Sequence, residues 1–259
     1  MALELVPMRP DERTLADIHL LRDVPHDVVK ELSRGCRWNH YDEGQVIIQY
    51  QESDKRIFFV VHGKVRAVHY SPCGREVIFR SISRGDTFGE LSAIDGHCRS
   101  ASVVAATSTL AASMTDTQFW QIVRQHESVN AALLRRLVGL VRMLTERIVE
   151  FSTMTVRNRI HVELLRLAHE AGSDHNVARI HPVPTHGDIA SRIATHREAV
   201  TRELNELARA GLVERKNGTI IIRDVGALVD MVHEASGRHL SDVTRTSAIL
   251  VPPQGHRSR

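Results

Sequence analysis

The sequence predicts an α+β protein in three successive parts: an N-terminal antiparallel β-roll, a long helix, and a compact C-terminal unit of short helices with a β-hairpin. Three observations predict it. Between Cys36 and Ala112, short β-type runs alternate with turn residues, the mark of a small sandwich or barrel. From Leu134 to Phe151, apolar residues recur at steps of three and four, close to the 3.5-residue repeat of a paired helix. Beyond Thr185, two helical patterns flank a tight break and lead to Asn217–Gly218, the strongest short-range hairpin signal.

Composition fits this reading. The 259 residues are enough for one large or two medium domains, and 42% hydrophobic with 25% charged residues is ordinary for a soluble globular chain. No apolar run approaches the roughly 20 residues that span a bilayer, and Met1 to Asp11 lacks a basic-then-apolar signal pattern. The expected location is cytoplasmic, with no membrane partner. Cys36, Cys73 and Cys98 are odd in number and widely spaced, which argues against a disulfide framework, a zinc site or an iron–sulfur cluster. The sixteen histidines are scattered, so no metal site and no covalently held cofactor is expected. A net charge of +3 does not by itself indicate a nucleic-acid partner; the placement of the arginines matters more.

In chain order, residues 1–17 read as a flexible arm and 18–127 as the β-roll domain. His26 to Arg34 forms a short amphipathic helix, and the His26–Asp27 pair reads as a helix start, since no further metal-spaced residues accompany it. Candidate strands are Gln45–Tyr50, Ile57–Val61, Lys64–Tyr70, Glu76–Ser81, Ala101–Ala106 and Thr109–Met114, with turns at His62–Gly63, Ser71–Gly74 and Arg84–Asp86. Within the roll, Gly85 to Ser102 carries the chemistry. Gly89 permits close backbone approach to an anion, and the helix start at Glu90, Leu91 and Ser92 turns free amides toward it. Arg99 supplies a forked cationic contact, Ser100 stands beside it, and Glu90 can accept from sugar hydroxyls. Together they suit a sugar phosphate; the same residues could also form a barrel turn with an Arg–Glu pair and no ligand.

A short helix over Thr117 to Glu127 precedes the long helix, assigned to 128–152. Its seam is Leu134, Leu137, Val141, Leu144, Ile148 and Phe151, with Arg135, Arg136, Arg142, Glu146 and Arg147 off it. That regularity favours a dimer helix over an ordinary core helix. Ser152 to Thr155 breaks the pattern as a hinge, and Thr155 can cap a helix running from Val156 to Ala171. The C-terminal unit is assigned to 153–235, and 236–259, polar with Pro252–Pro253, reads as a disordered tail.

Thr185–His–Gly–Asp188 is a capping-box start, and Ala194–Thr–His196 makes the break. The second helix turns Val200, Leu204 and Leu207 inward and Arg197, Glu198, Thr201 and Arg202 outward. With the hairpin this is a winged helix-turn-helix. Its outer face suits the major groove of double-stranded DNA, where arginine can donate twice to guanine and glutamate can accept from cytosine. Arg192, Arg215 and Lys216 are candidate phosphate contacts that position without specifying.

At this order and spacing Gly89 to Ser100 resembles the phosphate-binding cassette of the cyclic-AMP receptor protein (CRP/FNR) family, and Arg197, Glu198 and Arg202 match that family's recognition helix. The resemblance covers about residues 18 to 230. It implies a jelly-roll cyclic-nucleotide domain and a homodimer acting on an inverted repeat resembling TGTGA, with RNA polymerase as a further partner. Arg99, Ser100 and the cassette amides would hold the cyclic phosphate of cyclic AMP, in preference to cyclic GMP, and Glu90 the ribose hydroxyl. Thr145 falls where the family places hydroxyls that reach the base; its neighbour Leu144 is a departure. His196 replaces the usual Ser or Thr, leaving Thr195 to take the helix cap. Gln51–Ser53 stands where a glycine turn is usual, an altered loop. Ligand binding would shift packing along the seam and swing the winged helices about Thr153 until their recognition helices lie roughly 34 Å apart, one DNA turn. Two alternatives stay open: a relative that works without nucleotide or senses another signal such as a gas through haem, and the regulatory module of an enzyme. No residual segment is large enough for a catalytic domain, and none is expected.

Overall fold

The structure, a computed structural model, describes residues 13–71, 76–174 and 176–236. The chain divides into two compact units between Arg135 and Arg136.

In the first unit, α1 (His26–Gly35) leads into β1 (Arg37–Tyr41), β2 (Val46–Ile48), β3 (Ile57–His62), β4 (Lys64–Tyr70), β5 (Glu76–Ser83) and β6 (Thr87–Phe88). There follow α2 (Glu90–Asp95), β7 (Ser102–Ala105), β8 (Thr109–Met114) and α3 (Asp116–Gln125). The strands form two four-stranded antiparallel sheets, in the orders β1-β8-β3-β6 and β2-β7-β4-β5. Ile48, Phe58, Val60, Val65, Ile82, Phe88 and Val103 make the core they share. Sequence patterning located six of the eight strands. It missed β1, whose Arg–Trp–Asn–His–Tyr has no alternation because the strand is a half-exposed edge, and β6, which is two residues long.

The arm expected over 1–17 is a correction. Leu15 is 0% exposed and its amide donates to Ser33 Oγ at 3.1 Å, so from Leu15 onward the chain is part of the roll; residues 1–12, the Pro72–Gly74 part of one turn and 237–259 of the tail lie outside the described residues. In the altered loop, Gln51 takes φ 64°, a left-handed value that a glycine adopts at no steric cost. The loop is stitched to the cassette by Gln51 N–H to Arg99 C=O (3.0 Å) and Arg99 N–H to Glu52 C=O (2.9 Å).

The helix α4 (Glu127–Thr153) crosses the division. The second unit continues with α5 (Val156–Ala171), β9 (Ser173–Asp174), β10 (Val177–Ile180), α6 (His186–Arg192), α7 (Arg197–Arg209), β11 (Val213–Lys216), β12 (Thr219–Ile222) and α8 (Val225–Ser236). The Thr155 hydroxyl caps α5, accepting from the Asn158 amide, and Thr185 and Asp188 cap α6 reciprocally. The core of this unit gathers Leu164 and Ile160 from α5 with Ile189, Val200, Leu204, Ile220 and Leu228 from the elements around it. The hairpin β11–β12 pairs Lys216 with Thr219 across Asn217 (φ 49°) and Gly218 (φ 69°), both central residues left-handed as a type I′ turn requires.

Candidate functional site

Gly89 joins β6 to α2 at φ 81°. A Cβ on it would lie 2.7 Å from Arg99 Nη1 and 2.9 Å from the Arg56 carbonyl oxygen, so glycine is demanded by both conformation and space. Arg99, 2% exposed, reaches under this turn. Its Nη1 donates to Gly89 C=O (2.9 Å), and its Nη2 to Arg56 C=O (2.7 Å) and Asp54 Oδ2 (3.2 Å). Its Nε is buried with no acceptor among the described residues. The guanidinium also lies 5.8 Å from the Phe58 ring centroid.

Asp54 is the counter-charge, and it holds Arg56 Nε through both carboxylate oxygens at 3.1 Å. Burial pushes the Asp54 carboxyl up, but hydrogen bonds from the Arg56 side chain and amide, the Arg56 charge and the bond from Arg99 outweigh it, leaving the group below its ordinary range. Around the turn, Glu90 and Ser92 are buried, while Leu91 and Ser100 are exposed. Trp120 Nε1 on α3 donates to the Ala93 carbonyl (2.9 Å), tying down the far side of α2.

In the second unit, α7 exposes Arg197, Glu198 and Arg202, which with Thr201, Asn205 and Arg209 line a shallow concavity along the helix. Burial of Val200, Leu204 and Leu207 on the opposite face fixes this presentation.

The description of the cyclic nucleotide-binding domain family fits residues 38–126, and that of the Crp-like helix-turn-helix domain fits residues 158–231. A CRP-like cAMP-activated global transcriptional regulator of Mycobacterium tuberculosis is 24% identical over 214 residues, covering 82% of this chain and 96% of its own. The cyclic AMP receptor protein of Thermus thermophilus is 29% identical over 196 residues, covering 74% and 86%. The fold is also that of the c-di-GMP responsive global regulator CLP of Xanthomonas campestris, with a TM-score of 0.65 at 17% identity over 76% of this chain and 99% of that one. The chain belongs to the CRP/FNR family. It is a DNA-binding transcriptional regulator of that family.

Within this CRP/FNR regulator the structure redirects several of the expected contacts. Arg192, expected at a DNA phosphate, turns inward: it is mostly buried and its Nη1 donates to Glu163 Oε1 at 3.2 Å. Thr195 does not cap α7. The N-cap is His196, whose side chain makes no cap bond, while Thr195 is buried in the turn with its amide on Ala190 C=O (2.9 Å). Thr201, expected at a base edge, is engaged within the protein, with its hydroxyl donating to Arg197 C=O (3.0 Å) and meeting His186 Nδ1 at 2.7 Å. Arg215 and Lys216 remain exposed on the wing. Thr145 is exposed on α4 and its hydroxyl donates back to Val141 C=O at 2.9 Å. The seam is open as read: Leu134, Val141, Leu144, Ile148 and Phe151 are exposed, Leu137 is half-buried, and Val138 and Val149 widen the stripe.

Two features carried no sequence signal. Asp54 sits 45 residues before Arg99 in no recognisable motif. The fully buried Glu163 gathers Arg147 (3.3 Å), Arg192 and Arg166 (3.5 Å), and Arg166 also pairs with Glu150. Burial raises the Glu163 carboxyl, but the three arginines hold it below the ordinary carboxylate range. Arg147 Nη1 adds a bond to the Arg192 carbonyl (3.2 Å), so this cluster fastens the end of α4 to α5 and to the close of α6.

Proposed function

We propose that the chain is a cyclic-nucleotide-responsive regulator that binds, as a homodimer, an inverted-repeat DNA site resembling TGTGA. The observation that carries it is the arrangement at Arg99: a buried guanidinium beneath a left-handed glycine and a helix start, with Nε lacking an acceptor among the described residues. A buried donor without a partner costs free energy that an anionic oxygen would recover. Arg99, Ser100 and the amides of Gly89, Glu90, Leu91 and Ser92 then hold the cyclic phosphate, and Glu90 the ribose. Thr145 serves the base. The names of the mycobacterial and Thermus relatives favour cyclic AMP over cyclic GMP. Arg197, Glu198 and Arg202 read bases, Arg215 and Lys216 contact phosphates, and the α4 stripe pairs the two copies. The setting is cytoplasmic, and RNA polymerase is the further partner.

Calorimetry of the purified protein with cyclic AMP and cyclic GMP tests the ligand. Arg99→Ala is expected to weaken binding by about 1.5–3 kcal/mol, a charge-assisted contact's contribution. Unchanged affinity in that variant places the phosphate elsewhere.

A second reading is a family member that responds to another signal. The same Arg99 favours it in one respect, because both of its terminal nitrogens already have acceptors within the protein. CLP, of the same fold, is named as responsive to c-di-GMP. Absence of heat with either cyclic mononucleotide would select this reading.

A further inference from the structure

His186, in the first turn of α6, stands between the wing and the recognition helix. Its Nε2 lies 2.9 Å from Arg215 Nη1 on β11, and its Nδ1 lies 2.7 Å from Thr201 Oγ1 on α7. A guanidinium can only donate, so Nε2 accepts and the imidazole is neutral. The ring proton is therefore on Nδ1 and is donated to Thr201 Oγ1, whose own proton goes to Arg197 C=O at 3.0 Å. The result is one directed chain, from Arg215 N–H through His186 and Thr201 to the first-turn carbonyl of α7. Every member has a partner for its proton.

We propose that His186 is a positioning residue for DNA binding: a neutral imidazole that fixes the wing cation Arg215 against the start of the recognition helix. The inference rests on the DNA-binding reading of the second unit. Protonation at Nε2 removes the acceptor and sets two cations face to face, which releases Arg215. The charged groups facing the ring are Arg215 from β11 and Arg197 from α7; on its own helix, Asp188 is turned to the Thr185 amide and hydroxyl. Burial first, then Arg215 and Arg197, push His186 below its ordinary 6.5. The neutral chain is thus intact at pH 7, and acid below about 6.5 works against it until the ring titrates.

The test uses the full-length protein with its histidines labelled with nitrogen-15, and a fluorescent duplex of about 30 bp carrying a TGTGA inverted repeat beside one of permuted sequence. At pH 7.5 the signal assigned to residue 186, identified by its loss in His186→Gln, is expected to show the Nδ1–H tautomer. An Nε2–H or doubly protonated ring overturns the proposal, whatever the protein does with DNA. In anisotropy titrations, His186→Ala and Arg215→Ala are each expected to weaken repeat binding by about tenfold, one charge-assisted hydrogen bond's worth. The double variant should be no weaker than either alone, and additive losses overturn the proposal. His186→Gln places an amide oxygen near Nε2 and does not titrate, so it should restore affinity and flatten the decline that wild type shows as the pH falls below 6.5. A decline unchanged in His186→Gln counts against it. Failure of wild type to prefer the repeat would instead refute the TGTGA reading, and the tautomer measurement still decides the histidine.

Discussion

Arg99 shows what a single buried residue demands of its surroundings. A guanidinium removed from water needs acceptors, and here they come from the Gly89 carbonyl on one segment and from Asp54 and the Arg56 carbonyl on another. Gly89 makes that possible, because only a residue without Cβ can lie over the fork. Gly89→Ala would place a methyl 2.9 Å from the Arg56 carbonyl, which is backbone and cannot swing aside, and would also strain φ. We expect it to lower the unfolding free energy by about 1–3 kcal/mol in urea titrations, with cyclic-nucleotide binding lost as well. A variant as stable as wild type would show that the turn relaxes and that the close approach has no energetic consequence. The Gly89 turn and the helix start at Glu90 were legible in the sequence because they lie within one short segment of fixed spacing. Asp54 was not, since its relation to Arg99 exists only once β3 and the loop before it are in place.

Among the elements, α4 is the one whose sequence promises more than one chain can satisfy. Its stripe of Leu134, Val138, Val141, Leu144, Ile148 and Phe151 is exposed, with Val141 at 64% and Ile148 at 65%. An exposed apolar stripe of this length on a helix indicates a partner surface. Introducing a charge at its most exposed positions should therefore leave the fold intact and break the proposed pairing of two copies. Val141→Glu with Ile148→Glu is expected to halve the mass seen by sedimentation equilibrium, each substitution costing roughly 1.5–3 kcal/mol of buried apolar contact. A wild-type mass of one chain would remove the proposed dimer, and an unchanged two-chain mass in the variant would mean that copies meet through another surface. The stripe was legible from periodicity, and Val138 and Val149 were not, because a 3.5-residue count selects one seam whereas 3.6 residues per turn drift from it and expose a broader band. The Arg147–Glu163–Arg192 cluster was also illegible: each charge reads as a solvated helix face until α4, α5 and α6 are packed together.

For the molecule as a whole, the proposed phosphate cassette around Arg99 and the DNA face of α7 belong to separate compact units, so any influence of one on the other is a coupling free energy. Reciprocity then fixes a measurable identity. If saturating cyclic AMP tightens binding to the TGTGA-repeat duplex by some factor, saturating duplex must tighten cyclic AMP binding by the same factor; about 5- to 150-fold is usual for such couplings. Anisotropy with and without nucleotide, paired with calorimetry with and without duplex, checks it. A factor of one in both directions would remove the switch and leave a DNA binder independent of this ligand.

By itself the sequence determined the order of parts, most of the strands, the caps of α5 and α6, the glycine turn and the outward arginines of α7. All of these follow from local spacing and side-chain chemistry within a few residues of one another. Only the tertiary structure decided which polar and charged groups are used up internally. It paired Arg99 with Asp54, turned Arg192 to Glu163, buried Thr195 and joined His186 to Arg215. The physical reason is that a polar group's partners are set by the low-dielectric interior that removes it from water, and that interior is assembled from segments far apart in the chain.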